Sequence, residues 1–574
     1  MKDQSLTYEL AMPEPNTHYF EVNMLLENAS TSEEYVDFKM AAWTPGSYLI
    51  REYAKNVEGF EARAGQKDLQ YKKVSKNTWR VFKGNSKRIE VRYRVYAFEL
   101  TVRTAHLDDS HGYANGAAVF MYIPEIMKEK STLKIIPHAS FSKVSVALPM
   151  VSKFTYEVKD FDTLVDSPIE IGNQEILEFE SMGVKHAIAN YSLEPLKYNK
   201  DEVISAYKKV VEASATVFGG KHPCQNYLFI IHHLPGAGGG LEHLNSTTCQ
   251  TSPDAYENKD KFIGFMGLIA HEYFHLWNVK RLRPVALGPF DYENENYTNM
   301  LWVSEGFTSY YQHDILRRAG LIDENKMLSQ IAYGINSIEN TFGNKVQSVA
   351  EASWDAWIKY YRPNENSNNS TVSYYTKGGV IANILNIIII GETDGEKSLD
   401  DVLRLLYRDI YLAKDTGFTD EEFKKACETV AGKDLSAFFE NHIYGVESID
   451  YEKFFEKVDM NAVFVDPYPN SPWTGITVRG KLVTRLERGS GAYIHGINVN
   501  DEIVSINGQA FISLEQTLAG KKVGDKLRMK VFRSGQIKEY EIPLLANPTK
   551  SIRLSYKNSE NDRAKKKYKK WMHL

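Results

Sequence analysis

Alternating apolar and polar positions dominate the first third of the chain and predict β-strands. In IEVRYRVYAF, apolar side chains alternate with charged ones from Ile89 to Val95, which is the period of a strand with one buried face. Turn signals such as WTPGSY and KGNSK separate similar runs. We therefore predict an antiparallel β domain over residues 1–190.

The period changes near Asn199, where helical patterns begin. DEVISAYKKVVEASATVF fits an amphipathic helix, YLFIIHHL fits a buried strand, and residues 260–280 fit one long helix. Helices then dominate, and Thr419 with Glu422 fits a capping box at the start of one of them. These patterns predict an α+β domain over residues 191–335 and a helical domain over 336–460.

Short β patterns return after the proline- and asparagine-rich stretch DPYPNSP. The segment LRMKVFRSGQIKEYEIPL predicts a hairpin that turns at Ser534 and Gly535. We predict a separate β domain over residues 461–547. The lysine-rich remainder, 548–574, is predicted to be a basic tail, either a solvated helix face or a frayed end.

Composition narrows the class of protein and of partner. The 574 residues are 43% hydrophobic and 25% charged, with a net charge of −5, which indicates a globular protein of several domains and disfavours nucleic acid as a partner. Three scattered cysteines indicate neither a disulfide framework nor a thiolate zinc cluster.

No transmembrane segment is predicted. The most apolar stretch, VIANILNIIII, is shorter than the roughly 20 residues that span a bilayer and predicts a buried helix. The first residues also lack the apolar segment of a signal peptide. We expect the cytoplasm by default, with the periplasm or secretion as the alternative if a leader was trimmed.

The segment HEYFH carries the candidate chemistry. On a helix, His271 and His275 lie about 40° apart on one face and can share one ion. Neutral imidazoles suit zinc, and Glu272 is then placed to act as a general base toward a water. The apolar run before the histidines supports a buried helix, in which they need partners.

A third metal ligand is expected from a carboxylate further along the chain. Glu305 in LWVSEGFTSYYQ is the best candidate, because apolar neighbours predict a buried helix that carries one acidic side chain. Glu293 and Glu295 in DYENENY are alternatives, although so polar a segment fits an exposed loop better.

The glycine-rich stretch GAGGGLEHLNS follows the predicted strand YLFIIHHL. A phosphate-binding loop is a weak interpretation, because no GK[ST] follows and no βαβ unit is evident. Glycines also let backbone approach a peptide closely. Glu242 can then face the cleft and pair with an ammonium group.

Four motifs in this order, GGLEH, HEYFHLWNVKRLRP, LWVSEGFTSYY and SYYTKGG, are followed by a PDZ-like module. Together they resemble the PDZ-containing glycyl aminopeptidases, which are gluzincin metallopeptidases related to aminopeptidase N and leukotriene A hydrolase. The resemblance implies a thermolysin-like catalytic domain at 191–335, a helical domain at 336–460 that completes the cleft, and a PDZ-like domain at 461–547.

The resemblance also implies a metal site. His271, His275 and Glu305 match the ligands of one zinc ion, and Glu272 matches the base that activates water. In the wider aminopeptidase N pattern the glutamate ligand follows sooner, at a position that is Asn294 here. The resemblance to the glycyl aminopeptidases implies an insertion between His275 and Glu305, which accounts for the longer interval.

Substrate contacts follow from the same resemblance. Glu242, with Gly239 and Gly240, matches the motif that holds the free α-amine of a peptide. Tyr375 matches the tyrosine that stabilises the oxyanion, with Tyr374 as the competing assignment. The implied activity is removal of amino-terminal glycine, and in second place alanine, from peptides that have a free amino terminus.

Two alternatives stay open. One is a zinc endopeptidase or processing protease, and the other is a catalytically idle scaffold that binds peptides. For the PDZ-like module, backbone amides at 475–478 can take the carboxylate of a carboxy-terminal peptide by strand addition, or the module only packs against the catalytic body. Asn500 replaces a glycine of the pattern and tolerates positive φ.

Overall fold

The computed structural model describes residues 4–29 and 33–574. The predicted domain of residues 1–190 therefore includes six residues, 1–3 and 30–32, that lie outside the described ones. The chain forms two compact units. The first contains the residues before Thr298 together with Tyr311–Ile322 and Leu406–Phe418, and the second contains Thr298–Tyr310, Asp323–Leu405 and Thr419–Leu574.

The first unit begins with a region of β-sheets. Its elements are β1 Ser5–Ala11, β2 Tyr19–Glu27, β3 Tyr35–Met40, β4 Val57–Ala64, β5 Lys67–Asp68, β6 Tyr71–Ser75, β7 Thr78–Phe82, β8 Ile89–Tyr96, β9 Ala105–Leu107, β10 Gly112–Ala114, α1 Gly116–Val119, β11 Met121–Tyr122, β12 Ser131–Ile136, β13 Lys143–Ser145, β14 Met150–Ser152, β15 Thr155–Val158, α2 Phe161–Val165 and β16 Ile169–Gly172.

These strands form one eight-stranded and two four-stranded sheets. The strand orders are β14-β15-β12-β1-β2-β8-β4-β5, β13-β16-β10-β9 and β11-β3-β7-β6. The alternation in β8 is confirmed, since its odd-numbered residues are buried and the others face outward or are half-buried. Pairing is antiparallel as predicted, except that β1 and β12 run parallel.

A mixed five-stranded sheet follows in the same unit, in the order β17-β18-β19-β21-β20. Its elements are β17 Glu175–Ser181, β18 Val184–Tyr191, α3 Lys200–Val217, β19 Asn226–His233, β20 Gly239–Glu242, β21 Ser246–Thr251 and α4 Lys259–Phe274. The first two strands lie within the predicted 1–190 domain but pair with β19. The sheet region of the amino-terminal part thus ends before Glu175.

The helices of the central part are α5 Thr308–Arg318, α6 Glu324–Glu339, α7 Val349–Trp354, α8 Ser367–Ser370, α9 Tyr374–Glu392, α10 Leu399–Leu406, α11 Asp420–Ala431, α12 Ser436–Phe439 and α13 Tyr451–Phe455. Three π-helical segments add to them, Trp302–Phe307, Tyr407–Leu412 and Glu440–Tyr444. VIANILNIIII lies in α9 and is buried. The capping box of Thr419 and Glu422 at the start of α11 is confirmed. Within the described part of the chain, no helix is long and apolar enough to cross a membrane.

The second unit ends in a β region. Its elements are β22 Met460–Val465, β23 Pro472–Trp473, β24 Ile476–Arg479, β25 Leu482–Leu486, α14 Gly491–Ile494, β26 Glu502–Ile506, β27 Gln509–Ala510, α15 Leu514–Leu518, β28 Lys526–Arg533, β29 Gln536–Pro543, β30 Leu545–Ala546, β31 Ser551–Tyr556 and α16 Asp562–Met572. The predicted hairpin is β28–β29, and Ser534 and Gly535 both have positive φ at its turn. Asn500 has φ 69°, as its place in a turn predicts.

The predicted basic tail is an ordered part of this unit. β31 pairs with β22, and α16 buries Tyr568, Trp571 and Met572. The Trp571 indole donates a hydrogen bond to Asn383 of α9. The lysines are spaced so that one face of the helix stays apolar, and that apolar face explains why the segment docks rather than frays.

Candidate active site

The helix α4 brings the two histidines of HEYFH to one face. Their ring centroids are 4.8 Å apart. The helix ends at Phe274 with His275 as its C-cap, rather than continuing to residue 280 as predicted. The difference has a local cause, because the Arg281 guanidinium donates to the Leu276 carbonyl at 2.7 Å and the chain turns back there.

Both imidazoles are oriented by neutral oxygen acceptors. His271 Nδ1 lies 3.1 Å from Gln312 Oε1, and His275 Nδ1 lies 2.6 Å from the Asn278 carbonyl oxygen. Because neither oxygen can donate, each ring donates from Nδ1, which leaves Nε2 as the nitrogen that can bind a metal ion. This arrangement is the one that metal-binding histidines adopt. Gln312, on α5, was not predicted from the sequence.

Glu272 lies against the backbone of β20. Its side chain is 4% exposed. A Cβ placed on Gly240 would lie 2.2 Å from Glu272 Oε1, so only glycine allows strand and carboxylate to approach this closely. Gly239, with φ 97°, has no heavy atom within 4 Å of such a Cβ. The two glycines predicted at the substrate site therefore differ, and only Gly240 touches the acid.

Glu242 ends β20 and joins the same cluster. Ligand atoms of Glu242, Glu272 and His275 all lie within 4.8 Å of one another. Glu242 is 4% exposed, and its Oε1 has no hydrogen-bond partner among residues 4–29 and 33–574. Two buried carboxylates this close favour a cation between or beside them. We refer to Glu242, His271, Glu272 and His275 as the α4 cluster.

The segment predicted as a glycine-rich loop is partly a strand. β20 is the edge strand of its sheet and pairs antiparallel with β21. Glycine has low strand propensity, so the local pattern did not indicate a strand. The strand forms because β21 supplies the pairing, and this pairing sets Glu242 beside α4.

A turn of the amino-terminal region closes behind Glu242. Gly46 of WTPGSY has φ 84°, and a Cβ there would lie 2.6 and 2.7 Å from the two Glu242 carboxylate oxygens. The sequence marked this stretch only as a turn. Its backbone contact with the acid identifies Gly46 as part of the site.

A half-buried aspartate connects the strand to the turn after α4. Asp166 accepts hydrogen bonds from His243 Nδ1 at 3.0 Å, the Leu244 amide at 2.8 Å and Lys280 Nζ at 2.8 Å. Burial raises the pKa of Asp166, but Lys280 and His243 outweigh burial and hold it below its ordinary value. Asp166 therefore remains charged and fixes both segments.

The alternative ligands Glu293 and Glu295 lie in an irregular segment, as their polar surroundings predict. Glu293 pairs with Lys39 at 2.6 Å. Asn294, at the position of the shorter ligand interval, donates to Asp291 at 3.0 Å and is exposed. These contacts give Glu293 and Asn294 roles within the loop.

In the second unit, Glu305 lies on the π-helical segment Trp302–Phe307 and is 2% exposed. This segment packs very closely on α9, since a Cβ on Gly306 would lie 2.4 Å from the Gly378 Cα. The prediction of a buried helix with one acidic side chain is confirmed, although its first turn is π rather than α. The extra residue per turn changes the direction in which Glu305 projects.

Tyr374 and Tyr375 begin α9, and they differ in exposure. Tyr374 is fully buried, whereas Tyr375 is half-buried with its hydroxyl 3.4 Å from that of Tyr361. Burial and then the nearby Glu305 raise the pKa of Tyr375 well above its ordinary value. The Tyr375 phenol therefore keeps its proton and can donate a hydrogen bond.

Two stretches of the chain match known peptidase domains. Residues 7–173 match the peptidase M61 N-terminal domain, and residues 264–381 match the M61 glycyl aminopeptidase domain. The second stretch includes both histidines of HEYFH, Glu305 and Tyr375. A comparison with curated protein sequences gives no match.

One solved structure is similar over the full length of the chain, and two others are similar over part of it. The aminopeptidase N family protein from Idiomarina loihiensis is 27% identical with a TM-score of 0.91, covering 99% of this chain and 100% of that one. Leukotriene A4 hydrolase from Saccharomyces cerevisiae is 12% identical with a TM-score of 0.47, covering 79% and 68%. The M1 zinc metallopeptidase from Deinococcus radiodurans is 12% identical with a TM-score of 0.45, covering 75% and 92%. Only the first of these similarities is close enough to support an argument.

Proposed function

Because the chain carries the N-terminal and glycyl aminopeptidase domains of the M61 peptidases and is thus a metallo-aminopeptidase, we propose that it removes amino-terminal glycine, and in second place alanine, from peptides. The observation that carries this proposal is Glu242. A buried carboxylate oxygen without a hydrogen-bond partner in the described chain, beside a general base, suits the α-ammonium of a substrate.

The proposed cofactor is one zinc ion held by His271, His275 and Glu305. The residues fit zinc, because both imidazoles are oriented by acceptors at Nδ1, as the histidine ligands of zinc are. Glu305 supplies a buried carboxylate from the segment that matches the family motif. When bound, the ion supplies Lewis acidity to the substrate carbonyl and to a water molecule.

The remaining side chains have separate roles in the proposed reaction. Glu272 accepts a proton from the attacking water and passes it to the leaving amine, as a buried carboxylate beside the scissile bond can do. Tyr375 donates a hydrogen bond to the oxygen on which negative charge develops. Glu242 binds the α-amine and so fixes the substrate with its first peptide bond at Glu272.

A panel of chromogenic amino-acyl amides, each with a free or an acetylated amino group, tests the activity. Metal-loaded protein is expected to cut the free glycyl amide fastest, the alanyl amide next and the acetylated forms not at all. Cleavage of acetylated or internal bonds would support an endopeptidase instead. No cleavage by protein of verified zinc content would favour a peptide-binding scaffold.

Metal analysis tests the third ligand separately. Glu305→Gln should lose zinc during dialysis, because an amide binds the ion far more weakly than a carboxylate. Glu293→Gln is the matched control, since Glu293 is the alternative ligand and pairs with Lys39. Zinc retained in the first variant and lost in the second would reverse the assignment.

We also propose that the carboxy-terminal β region is PDZ-like and binds the carboxylate end of a peptide. β24 is the edge strand of its sheet. A cavity of about 530 Å³ adjoins it and is lined in part by Lys345, Gly475, Ile476 and Arg488. Glu339 and Glu487 also line the cavity, so its charge is mixed. The open strand edge beside Lys345 and Arg488 suits addition of a peptide strand with a terminal carboxylate.

Fluorescence anisotropy with labelled peptides tests this partner. Glu272→Gln protein should be used so that the probe is not hydrolysed. We expect a peptide with a free carboxylate to bind at least about tenfold more tightly than its carboxy-amidated form, as loss of a charged hydrogen-bond partner implies. Equal affinity for both would contradict the proposal.

A further inference from the structure

A second group of buried histidines and carboxylates lies in the first unit, outside the α4 cluster. His106 lies on β9 and Asp108 directly follows that strand. His111 directly precedes β10 of the same hairpin. Glu170 lies on β16 and His232 lies on β19. We refer to these five residues as the hairpin cluster.

Glu170 fixes the two inner imidazoles of this cluster. Its Oε1 accepts from His111 Nδ1 at 2.8 Å, and its Oε2 accepts from His232 Nε2 at 2.9 Å. All three side chains are 0% exposed. The Tyr191 ring also stacks on His111 at a centroid distance of 3.5 Å. The plane of His111 and the donor role of its Nδ1 are therefore both set, which leaves Nε2 as the nitrogen that can bind a ligand.

Hydrogen bonds leave three imidazole nitrogens of the cluster unsatisfied. Among residues 4–29 and 33–574, no partner exists for the buried atoms His106 Nδ1, His111 Nε2 and His232 Nδ1. A buried polar atom without a partner is costly, and native proteins pair such atoms with protein, water or an ion. Of the three, His111 Nε2 belongs to a ring that is held from its other side, and it indicates a missing ligand beside that ring.

The outer part of the cluster has the donors of a metal site. One ligand atom each from His106, Asp108 and His111 lies within 4.8 Å of the other two. His106 Nε2 and Asp108 Oδ2 are 3.1 Å apart, close to the separation of about 3.3 Å between neighbouring ligands of a tetrahedral zinc ion. A carboxylate behind a ligand histidine, as Glu170 is behind His111, is the usual outer partner of such a site.

We propose that His106, Asp108 and His111 form a second binding site for a zinc-type divalent cation. Two imidazoles and one carboxylate favour zinc over calcium or magnesium, which prefer oxygen ligands. The Asp108 side chain is 28% exposed, so the ion can enter from solvent. The ion would link both sides of the β9–β10 hairpin. Hydrogen bonds from His111 and His232 to Glu170 connect the site to β16 and β19.

The role of this ion is structural rather than catalytic. It satisfies a buried nitrogen and holds a hairpin whose two strands have only three residues each. An ion that binds only the folded chain raises its stability by mass action. The proposal does not depend on the peptidase activity, and its test needs no substrate.

The test uses full-length His271→Ala/His275→Ala protein, in which the α4 histidines cannot bind metal. After equilibration with Zn²⁺ and gel filtration, metal analysis should find one zinc ion per chain. Adding His106→Gln or Asp108→Asn should reduce this to none. Asp108→Asn keeps an oxygen that can accept from the Ser110 amide and hydroxyl, so the local turn is preserved. His138→Gln, which changes a histidine outside the cluster in the same region, should retain the ion.

Two results would overturn the proposal. One is the absence of retained zinc in the double variant, which would mean that water satisfies the buried nitrogens. The other is zinc that persists when His106 or Asp108 is changed, which would place the ion elsewhere. If the variants with changes at His106 or Asp108 unfold, the thermal unfolding midpoint of the His271→Ala/His275→Ala protein tests the site. Zn²⁺ should raise this midpoint by several degrees, and Ca²⁺ should not. No difference between the two ions would contradict the site.

Discussion

The α4 cluster and the hairpin cluster combine the same residue types but leave different atoms unsatisfied. In the α4 cluster the histidines use neutral acceptors, Gln312 and the Asn278 carbonyl, and one oxygen of the Glu242 carboxylate has no hydrogen-bond partner among the described residues. In the hairpin cluster both oxygens of Glu170 accept hydrogen bonds from histidines. The atoms without a partner among the described residues are imidazole nitrogens instead.

This difference indicates what each cluster binds. A buried carboxylate oxygen without a partner requires a cationic donor, and a substrate ammonium supplies one. A buried unprotonated imidazole nitrogen requires a proton donor or a metal ion. Residue type alone would not separate the two clusters, whereas their hydrogen bonds do. The variants below alter one cluster at a time.

The largest effect is expected from Glu272→Gln. Loss of the general base should lower kcat on glycyl amides by about 10²–10⁴-fold, with the zinc content unchanged. Steady-state kinetics with metal analysis provides the measurement. Glu257→Gln, at an exposed position shortly before α4, is the control and should keep full activity. A Glu272 variant with near-normal kcat would remove this residue from the mechanism.

Glu170→Gln should act on stability rather than on chemistry. It replaces the carboxylate that accepts from both His111 and His232, and a hydrogen bond to a charged group contributes about 1.5–3 kcal/mol. Urea unfolding should show this loss at pH 7, while Glu178→Gln on the exposed face of β17 should show none. An unchanged unfolding curve would mean that the charged Glu170 carboxylate does not stabilise the hairpin cluster.

The stability lost in Glu170→Gln should depend on pH. Burial raises the pKa of Glu170, but His111 and His232 outweigh it and lower the value to about 2. A carboxyl with a depressed pKa stabilises the folded state above its unfolded pKa, and this stabilisation is lost as the pH falls toward the folded value. The stability difference between wild type and Glu170→Gln should therefore shrink below pH of about 4.5. A constant difference down to pH 3 would contradict a stabilising role of the Glu170 charge.

Gly46→Ala should impair the α4 cluster from a distance in sequence. The added Cβ must displace the Glu242 carboxylate, and a shift of about 1 Å at a reacting site can cost about 10²-fold in kcat/KM. Gly65→Ala is a matched control, because Gly65 also has positive φ but no heavy atom lies within 4 Å of its Cβ. Equal losses in both variants would indicate backbone strain rather than contact with Glu242.

The smallest effect is expected at Gln312. Gln312→Met removes the acceptor for His271 Nδ1 and should weaken zinc binding by about 10–100-fold. Gln312→Glu keeps an acceptor and adds charge, so it should bind zinc at least as tightly as wild type. Competition with a chromogenic chelator measures both affinities. Equal losses in the two variants would mean that the acceptor does not orient the ligand.

Local patterns were sufficient to predict much of the fold. The period-two alternation of β8, the capping box at Thr419 and the turn at Ser534–Gly535 each depend on residues adjacent in the chain. The shared face of His271 and His275 could also be predicted from local spacing, because residues four apart on a helix lie on one face.

Contacts between distant segments could not be predicted in this way. Gly46 and Glu242, or His271 and Gln312, are joined only by tertiary structure, and neither pair leaves a periodic signal. β20 was interpreted as a loop because its glycines disfavour strands, and only pairing with β21 makes it one. Because the last segment is rich in lysine, its sequence predicted a solvated or frayed tail and not the apolar face of α16.

The most direct test compares free and acetylated glycyl amides on wild-type and Glu242→Gln protein of equal zinc content. If Glu242 binds the α-ammonium, wild type should cut only the free amide. The variant should lose about 2–5 kcal/mol of transition-state binding for it, so that its preference for free over acetylated substrate collapses. A variant that keeps the wild-type preference would contradict the assignment of Glu242 and with it the proposed aminopeptidase site.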